Sequence, residues 1–519
     1  MPSKSEAPDT TKVVTSQAAM DRSVALVTVT VMIGMIMAII DATIVNVALS
    51  NMAGNLGASI DEISWVATGY ILANVVVMPL NGWLTARFGR RMFYASSVAI
   101  FTLTSFLCGT ATNVGLLIFY RILQGLGGGA LQPTAQAILF ESYPPERRGQ
   151  AMAIFGLGAM VGPALGPTLG GYIIDNFSWP LIFYINVPIG ILAFVMALAF
   201  IRDQSYIKRP ENGIDWLGLG VMTLGIASVQ YVLERGQRDD WFDSSTIMIL
   251  SITAVVALAW FIRRQLRDPS PLVELHIFRL RSFSIGNMIG VVSGFGLYGL
   301  NLVLPLFFEN ILGFDAWQTG LALLPGVVGT AISMPIAARM LQQFSPRSLI
   351  AAGIIMFAYA AWAMGSLNQY AGFGDLLWPR TLQGFALGFL FVPLSTATLA
   401  DVPKDQLASA SGIYSLLRQL GGSIGIAVLE LIQIRREDTA QSTLAGSITR
   451  HNPSVASMLH ASHDSAATMH QIADEVLRNA TMIAYADVFR ISAILFLASL
   501  PLLLFMREPT RTIKSPVKS

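Results

Sequence analysis

The sequence predicts an all-α integral membrane protein with fourteen transmembrane helices. Its 519 residues are 54% hydrophobic and only 12% charged, whereas soluble domains carry about 25% charged residues. Long apolar runs alternate with short polar loops, and one helical crossing of a bilayer takes about 20 apolar residues. The net charge of +2 does not indicate a nucleic-acid partner.

The apolar runs fall into three groups along the chain. A polar tail (1–24) precedes six spans (25–201), a linker with two more spans (202–284), six last spans (285–506) and a second tail (507–519). The first run is longer than a signal-peptide core of about 7–15 residues, so we expect it to be retained. The spans lie near residues 25–49, 64–85, 93–111, 115–138, 151–174, 181–201, 214–233, 245–264, 285–308, 317–338, 348–366, 377–399, 408–432 and 485–506.

Basic residues sort onto one side of this arrangement. Only Arg235 and Arg238 lie in short loops of the opposite side. Because positive loops stay in the cytoplasm, the pattern predicts a multi-pass protein of the cytoplasmic (inner) membrane with both termini cytoplasmic and 433–484 outside. The basic loop residues on the cytoplasmic side are Arg87, Arg90, Arg91, Arg147, Arg148, Arg202, Lys208, Arg209, Arg263, Arg264, Arg267, Arg279, Arg281, Arg339, Arg347 and Lys404.

Two stretches repeat at an offset of 259 residues. "RILQGLGGGA" matches "RTLQGFALGF", which pairs Arg121 with Arg380 and Gln124 with Gln383. A weaker match at an offset of 256 pairs Arg91 with Arg347. We therefore predict two six-helix bundles of like orientation with two helices inserted between them, and such parallel repeats are typical of transporters.

The repeated arginines need a physical explanation because a charge at membrane depth is costly. Such a charge persists mostly where it meets a water-filled cavity or a partner, so we expect Arg121 and Arg380 to face the cleft between the halves. The alternative is that each arginine snorkels or holds a neighbouring helix through backbone carbonyls.

Five stretches resemble the major facilitator superfamily, specifically its fourteen-span drug:proton antiporters, over nearly the whole chain. The resemblance implies the major facilitator fold and proton-coupled multidrug efflux, in which external protons are exchanged for cytoplasmic hydrophobic or cationic drugs by alternating access. The stretches are "IIDATIVNVALSNM", "GWLTARFGRR", "RILQGLGGGA", "GLGAMVGPALGPTLGGYI" and "FYINVPIGIL".

The second stretch matches the loop motif that forms the cytoplasmic gate of this family. The family usually has an aspartate where this sequence has Ala86, which leaves the polar pairing of the gate open. The arginines remain available to cytoplasmic carboxylates or lipid phosphates. The predicted gate residues are Gly82, Arg87, Gly89, Arg90 and Arg91.

Asp41, within the first span, is the leading candidate for proton coupling. Burial favours the neutral form of a carboxyl and a nearby arginine favours the charged form, so such a site can load and release a proton. The family carries its characteristic aspartate here, and we expect Arg121 to bias the charge of Asp41. The alternative is a structural Asp41 that bonds to Asn46. Glu430 in the thirteenth span is a second proton or substrate candidate, or else an interfacial glutamate that reaches headgroups.

Further polar residues in the spans are predicted to line the substrate cavity. Glu309 closes the ninth span and has the alternative of a solvated helix end. The predicted cavity residues are Asn46, Gln124, Glu309, Arg380 and Gln383.

Glycines recur every fourth residue in the fifth span, which clears one helix face for close packing. Pro163 and Pro167 remove amide donors there and predict a bend. The resemblance identifies this stretch as the antiporter motif, with a role in conformational change or proton sealing, whereas plain helix packing is the alternative. The motif residues are Gly158, Gly162, Pro163, Gly166, Pro167, Gly170 and Gly171.

The external segment 433–484 contains four histidines. Their spacing permits a metal site, but the polar surroundings without cysteine favour a solvated loop and no metal. Apolar positions recur at helical spacing in 465–483, and we expect this amphipathic helix to cover the cavity or to contact an adaptor. The resemblance implies a periplasmic adaptor and an outer-membrane channel if the host has two membranes. The histidines are His451, His460, His463 and His470.

Two shorter segments read as surface structure. Residues 268–283 are too short and charged to span and predict an interfacial helix before the second half. Residues 234–240 predict an external loop.

The sequence indicates neither an enzyme nor a cofactor. No Gly-Lys pair occurs, so a Walker phosphate loop is absent and the proton gradient is the expected energy source. Two alternatives stay open: a dedicated exporter of one endogenous compound, such as a lipid or siderophore, and a transporter-like receptor without flux, for which the short tails leave no output domain.

Overall fold

A computed structural model describes residues 10–204, 213–448 and 465–506. All regular elements in these ranges are helical, and fourteen helices are long and apolar enough to cross a membrane, which confirms the predicted number of spans. The α-helices are α1 (Thr10–Leu56), α2 (Ile60–Val77), α3 (Asn81–Phe88), α4 (Arg90–Gly109), α5 (Val114–Ser142), α6 (Arg148–Asn176), α7 (Leu181–Tyr184), α8 (Asn186–Phe200), α9 (Trp216–Arg235), α10 (Ser245–Gln265), α11 (Arg281–Asn310), α12 (Ala316–Met340), α13 (Pro346–Met364), α14 (Phe373–Ala400), α15 (Leu407–Ser447), α16 (Ser465–Ser499) and α17 (Leu502–Phe505).

The chain forms two compact units. The first contains the described residues up to Asp215, together with Pro269–Glu274 and Pro403–Gly412. The second contains Trp216–Asp268, Leu275–Val402 and the described residues from Ile413 onward. The inserted helices α9 and α10 therefore belong to the second unit. A hydrogen bond explains part of this, because Gln230 Nε2 on α9 lies 2.9 Å from Ser423 Oγ on α15.

In the first unit, α1 packs against the glycine face of α6. A Cβ atom added at Gly158, Gly162, Gly166 or Gly170 would overlap or crowd the side chains of α1, whereas Gly171 has open space. The Thr43 hydroxyl also donates to the Gly162 carbonyl at 3.1 Å. Small residues at this interface let the two helix backbones approach closely, so that van der Waals packing holds the helices together. The helix continues through Pro163 and Pro167.

In the second unit, aromatic side chains of α11, α13 and α16 pack together within a core that also contains many aliphatic side chains. The rings of Phe357 and Phe496 stack with centroids 4.0 Å apart, and Phe307 meets Phe489 edge to face at 5.5 Å. Such pairs are worth about 0.5–1.5 kcal/mol each beyond the area they bury. This core fixes α16 against the rest of the unit.

The segment predicted as the external loop 433–484 is largely helical. α15 continues to Ser447, and α16 runs without interruption from Ser465 into the last span. The predicted helix 465–483 is therefore part of α16, because no proline or glycine separates the two. His451, His460 and His463 lie outside the described residues.

The prediction of one interfacial helix over residues 268–283 is wrong. The structure has a short 3₁₀ helix at Leu275–Arg279, and α11 already begins at Arg281. Pro269 and Pro271 lack amide donors and disfavour helical geometry in the residues before them, which explains the irregular start of this segment.

Candidate functional site

Three helices of the first unit meet at Asp41. Asp41 lies on α1, Arg121 and Gln124 lie three residues apart on α5, and Asn186 begins α8. Side chains at this spacing share one face of a helix, so Arg121 and Gln124 point the same way. The start of α5 is fixed by its cap, since Asn113 Oδ1 accepts the Leu116 amide at 2.9 Å.

The Asp41 carboxylate accepts hydrogen bonds from three side chains. Arg121 Nη1 lies 2.6 Å from Oδ2, while Gln124 Nε2 and Asn186 Nδ2 lie 3.1 and 2.8 Å from Oδ1. Arg121 Nη1 also donates to Gln124 Oε1 at 2.7 Å. Asp41 is 0% exposed and Arg121 is 1% exposed. We call these four residues the Asp41 network.

Aromatic rings and a backbone carbonyl complete the surroundings of Arg121. Its guanidinium carbon lies 4.1 Å from the centre of the Tyr70 ring and 5.7 Å from that of Phe183. Its Nε donates to the Val66 carbonyl at 3.2 Å. Such cation–π contacts strengthen as water is removed. The contacts of the Arg121 guanidinium described above are thus all made with groups of the first unit.

A second layer of contacts fixes the residues that bind Asp41. Asn186 Nδ2 lies 3.1 Å from Ser105 Oγ, which donates to the Phe183 carbonyl at 2.9 Å. The Cys108 thiol lies 3.7 Å from Gln124 Oε1. These contacts hold the amide groups in the orientation that presents donors to the carboxylate.

The arrangement places the Asp41 carboxylate in an ion pair with a buried guanidinium. Protonation of Asp41 would remove the ion pair and leave Arg121 buried without a counterion, which costs several kcal/mol, on the order of 3–5. The expectation that Arg121 faces an open cleft differs from this structure, in which the first unit encloses it.

Arg380 repeats the arginine–glutamine contact in the second unit but not the ion pair. Its Nη1 donates to Gln383 Oε1, and its Nη2 lies 3.5 Å from the Leu323 carbonyl. Either repeat offset places a leucine where the first unit has Asp41, at position 297 or 300. Among the described residues Arg380 has no acidic partner, although it is only 6% exposed.

Asn46, Glu309 and Glu430 are not among the hydrogen-bond partners of Asp41. Asn46 and Glu309 are exposed, and Glu430 is half-buried on α15. Asn46 is not among the hydrogen-bond partners of Asp41, so the structural alternative of an Asp41–Asn46 bond is not realised.

The predicted gate residues meet carboxylates at one end of the first unit. Arg90 Nη2 lies 2.5 Å from Glu141 Oε2, and the two side chains are 4% and 9% exposed. The Arg91 amide donates to Asp203 Oδ1 at 2.9 Å. Gly89 has a φ of +81°, a conformation that glycine adopts without strain. Glu141 thus supplies a carboxylate to this loop, in which position 86 is alanine, while Arg87 and Arg91 are exposed.

Sequence reasoning missed Asn186 and Arg418. Asn186 lies in "FYINVPIGIL", and its role depends on a contact with Asp41 145 positions away. Arg418 lies within the apolar run of α15, where an intramembrane charge was a signal to follow. It is 3% exposed and lies 5.2 Å from the ring centre of Phe391. No acidic side chain pairs with Arg418 in the part of the chain that the structure describes.

Among the described residues, no group of three or more histidine, cysteine, aspartate or glutamate side chains could hold a metal ion. His470 is exposed on α16.

Comparison with known proteins places this geometry in context. A family model described as Major Facilitator Superfamily matches residues 31–426. The chain is 35% identical to the multidrug export protein EmrB of Escherichia coli (strain K12) over 489 residues, 93% of this chain and 95% of that protein. It is 33% identical to the fatty acid resistance protein FarB of Neisseria gonorrhoeae over 501 residues, 94% of this chain and 97% of that protein.

A solved structure resembles the fold. The human organic anion transporter MFSD10 has a TM-score of 0.60 at 13% identity and covers 92% of this chain and 99% of its own. At this identity the likeness concerns the fold alone.

Proposed function

The chain belongs to the major facilitator superfamily, and we propose that it is a proton-coupled multidrug exporter that exchanges protons for hydrophobic or cationic drugs by alternating access. Its similarity to EmrB over 93% of the chain supports multidrug export. The observation that carries proton coupling is Asp41, a carboxylate within a membrane span and 0% exposed. Ionisable groups at such depth mark proton and substrate pathways.

The proposed role of Asp41 follows from its partners. In the charged state the carboxylate holds Arg121, Gln124 and Asn186 through α1, α5 and α8. A proton that neutralises Asp41 frees Arg121 and loosens the contact between these helices. Drug binding that favours the charged state would expel the proton, and the two ligands would then exchange. The proton gradient supplies the energy, and neither ATP nor a bound cofactor is required.

The test measures proton movement triggered by drugs. Inside-out vesicles are energised to be acidic inside, and lipophilic cations, uncouplers and weak acids are added while the pH gradient is followed. We expect the wild type to dissipate the gradient when a substrate is added and Asp41→Asn to leave it intact. Glu146→Gln is the control, because Glu146 is an exposed carboxylate on the 3₁₀ helix Pro145–Arg147, outside the predicted proton and substrate residues, and should retain the response.

A second variant separates loss of coupling from loss of folding. Asp41→Asn leaves Arg121 buried without a counterion, whereas Asp41→Asn with Arg121→Gln removes both charges. The double variant should fold, bind substrate and move no protons. Normal drug-triggered proton movement in the double variant would refute the role of Asp41.

A second candidate function is export of one anionic amphiphile. Two observations favour it: FarB is a relative of similar identity, and Arg380 and Arg418 are buried in the second unit without an acidic partner among the described residues. Ligand competition separates the two functions. A broad set of unrelated competitors supports multidrug export, while competition by long-chain carboxylates alone supports the narrow function.

We also propose that the protein lies in the cytoplasmic (inner) membrane with both termini in the cytoplasm, as the distribution of basic loops indicates. A periplasmic adaptor and an outer-membrane channel are proposed partners in a host with two membranes. The helical extensions of α15 and α16 would carry the adaptor. The topology is tested by attaching a reporter to either terminus, and the adaptor by co-purification with and without residues 437–475.

A further inference from the structure

A groove between α15 and α16 of the second unit combines apolar walls with two arginines. It encloses about 300 Å³, the lower end of the range of about 300–1,000 Å³ for small-molecule sites. The side chains from α15 recur at spacings of three and four residues, which places them on one helix face. The lining residues are Leu431, Ile432, Arg435, Arg436, Thr439 and Ile491.

The charges at the groove are unevenly balanced. Arg436 Nε lies 3.5 Å from Asp487 Oδ2, and Arg490 shares the same carboxylate at 3.8 Å. Arg436 is 55% exposed, and an exposed pair of this kind contributes only about 0–1 kcal/mol. Among the described residues Arg435 has no acidic partner. One carboxylate therefore pairs with two of the three guanidinium groups, and that of Arg435 is left without an acidic partner among the described residues.

The other acidic and polar groups of this surface do not change that balance at the groove. Glu437 accepts a hydrogen bond from the Thr481 hydroxyl at 2.8 Å, on the neighbouring part of α16. Asp438 is exposed and does not line the groove. The Thr439 hydroxyl donates to the Arg435 carbonyl at 2.7 Å, so the donors left for a ligand are guanidinium N–H groups.

The order of residues along α15 matches the boundary of a bilayer. Leu431, Ile432 and Ile434 end the apolar part of the helix, and Arg435, Arg436 and Thr439 follow within about two turns. Acyl chains pack against apolar side chains on one side of this boundary, and phosphates lie on the other. Arginine forks bind phosphate oxygens well.

We propose that this groove is a binding site for one anionic phospholipid. The headgroup phosphate lies between Arg435 and Arg436, and the upper part of an acyl chain lies against Leu431, Ile432 and Ile491. The site is independent of the Asp41 network, which belongs to the first unit. It holds α15 and α16 together where both helices leave the membrane.

The test exploits the cysteine content of the chain. Cys108 is the sole cysteine and is 0% exposed, so Thr439→Cys introduces a thiol that labels selectively. A fluorophore at this position reports only on lipids at the groove. The labelled protein is placed in vesicles of neutral lipid with increasing amounts of phosphatidylglycerol that carries a nitroxide near the top of one acyl chain. Phosphatidylcholine with the same nitroxide is measured in parallel.

We expect half-quenching at an at least threefold lower mole fraction of phosphatidylglycerol than of phosphatidylcholine. Arg435→Gln with Arg436→Gln should remove this preference. The matched control is Arg263→Gln with Arg264→Gln, which removes an adjacent arginine pair at the end of α10 and should leave the preference intact. Equal quenching by the two lipids, or a preference that survives the loss of Arg435 and Arg436, overturns the proposal.

A third arm separates phospholipid from free fatty acid. Nitroxide-labelled stearate offers a carboxylate in place of a phosphate. Preference for phosphatidylglycerol over stearate at equal mole fraction supports the proposal. Preference for stearate overturns it and assigns the groove to a free carboxylate amphiphile. None of these outcomes depends on transport, so the site stands or falls separately from the proposed function.

Discussion

Asp41 and Arg121 are 80 positions apart in the chain, yet Asp41 Oδ2 and Arg121 Nη1 lie 2.6 Å apart in the interior of the first unit. Arg380, which repeats Arg121, has no such partner among the described residues. The two repeats therefore share an arginine–glutamine contact, and only the first adds a carboxylate. This asymmetry assigns the proton-linked chemistry that we propose to the first unit.

The ion pair predicts non-additive losses of stability. Asp41→Asn or Arg121→Gln alone should destabilise the protein by about 3–5 kcal/mol, because each leaves a buried charge unpaired. The double variant should lose clearly less than the sum of the two. Denaturant unfolding of all four proteins in one detergent measures the coupling. Strictly additive losses would show that the pair contributes no mutual stabilisation.

The glycine face of α6 predicts that a larger side chain is tolerated at Gly171 but not at Gly166. Gly166→Val should impair transport and lower stability by about 1–3 kcal/mol, since overpacking displaces side chains, and a Cβ there would overlap Thr43 on α1. Gly171→Val is the control, because nothing lies within 4 Å of a Cβ at that position. Thermal unfolding and drug export are measured for both variants. Equal effects would argue against close packing of α1 on α6 as the cause.

The buried pair of Arg90 and Glu141 predicts sensitivity in the gate loop. Glu141→Gln removes the carboxylate from an arginine that is 4% exposed, and we expect a loss of about 3–5 kcal/mol together with reduced transport. Glu146→Gln, on the exposed 3₁₀ helix Pro145–Arg147, removes the same charge and should change little. Unfolding and uptake assays compare the two variants. Equal losses of stability and transport in the two variants would show that the pairing of Glu141 with Arg90 makes no particular contribution.

The burial of Cys108 predicts slow reaction with maleimides. In intact membranes the wild type should label only after denaturation, because Cys108 is 0% exposed and packs near Gln124. Gln124→Ala should raise the labelling rate by opening space beside the thiol. Mass spectrometry of the intact chain quantifies the reaction over time. Rapid labelling of the native wild type would contradict the enclosed environment described for the Asp41 network.

Much of the fold was predictable because membrane spans have a strong local signal. A helix of about 20 apolar residues can satisfy its backbone only internally, so composition and length identify it. The extensions of α15 to Ser447 and of α16 back to Ser465 lack that signal, since polar helices outside the bilayer have no required length. The placement of α9 in the second unit involves the contact of Gln230 with Ser423, which no local pattern encodes.

The candidate site was predictable in part for a related reason. Asp41 and Arg121 stand out as charges inside apolar runs. Asn186 does not, because a single amide in a span is common and its importance comes from a partner 145 positions away. The burial of Arg121 within the first unit could not be predicted either, because a sequence shows that a charge lies in a membrane span but not which side chains surround it.

The Asp41 carboxylate has no exposed surface, and the rings of Tyr70 and Phe183 pack on its partner Arg121. An acid–base group that water reaches from both sides of the membrane at once lets protons leak across, and the leak dissipates the proton gradient. In the conformation described, water reaches Asp41 from neither side of the membrane. If Asp41 carries the proton, as we propose, no proton leaks through it in this conformation, and proton transfer requires a movement of the helices that surround the carboxylate.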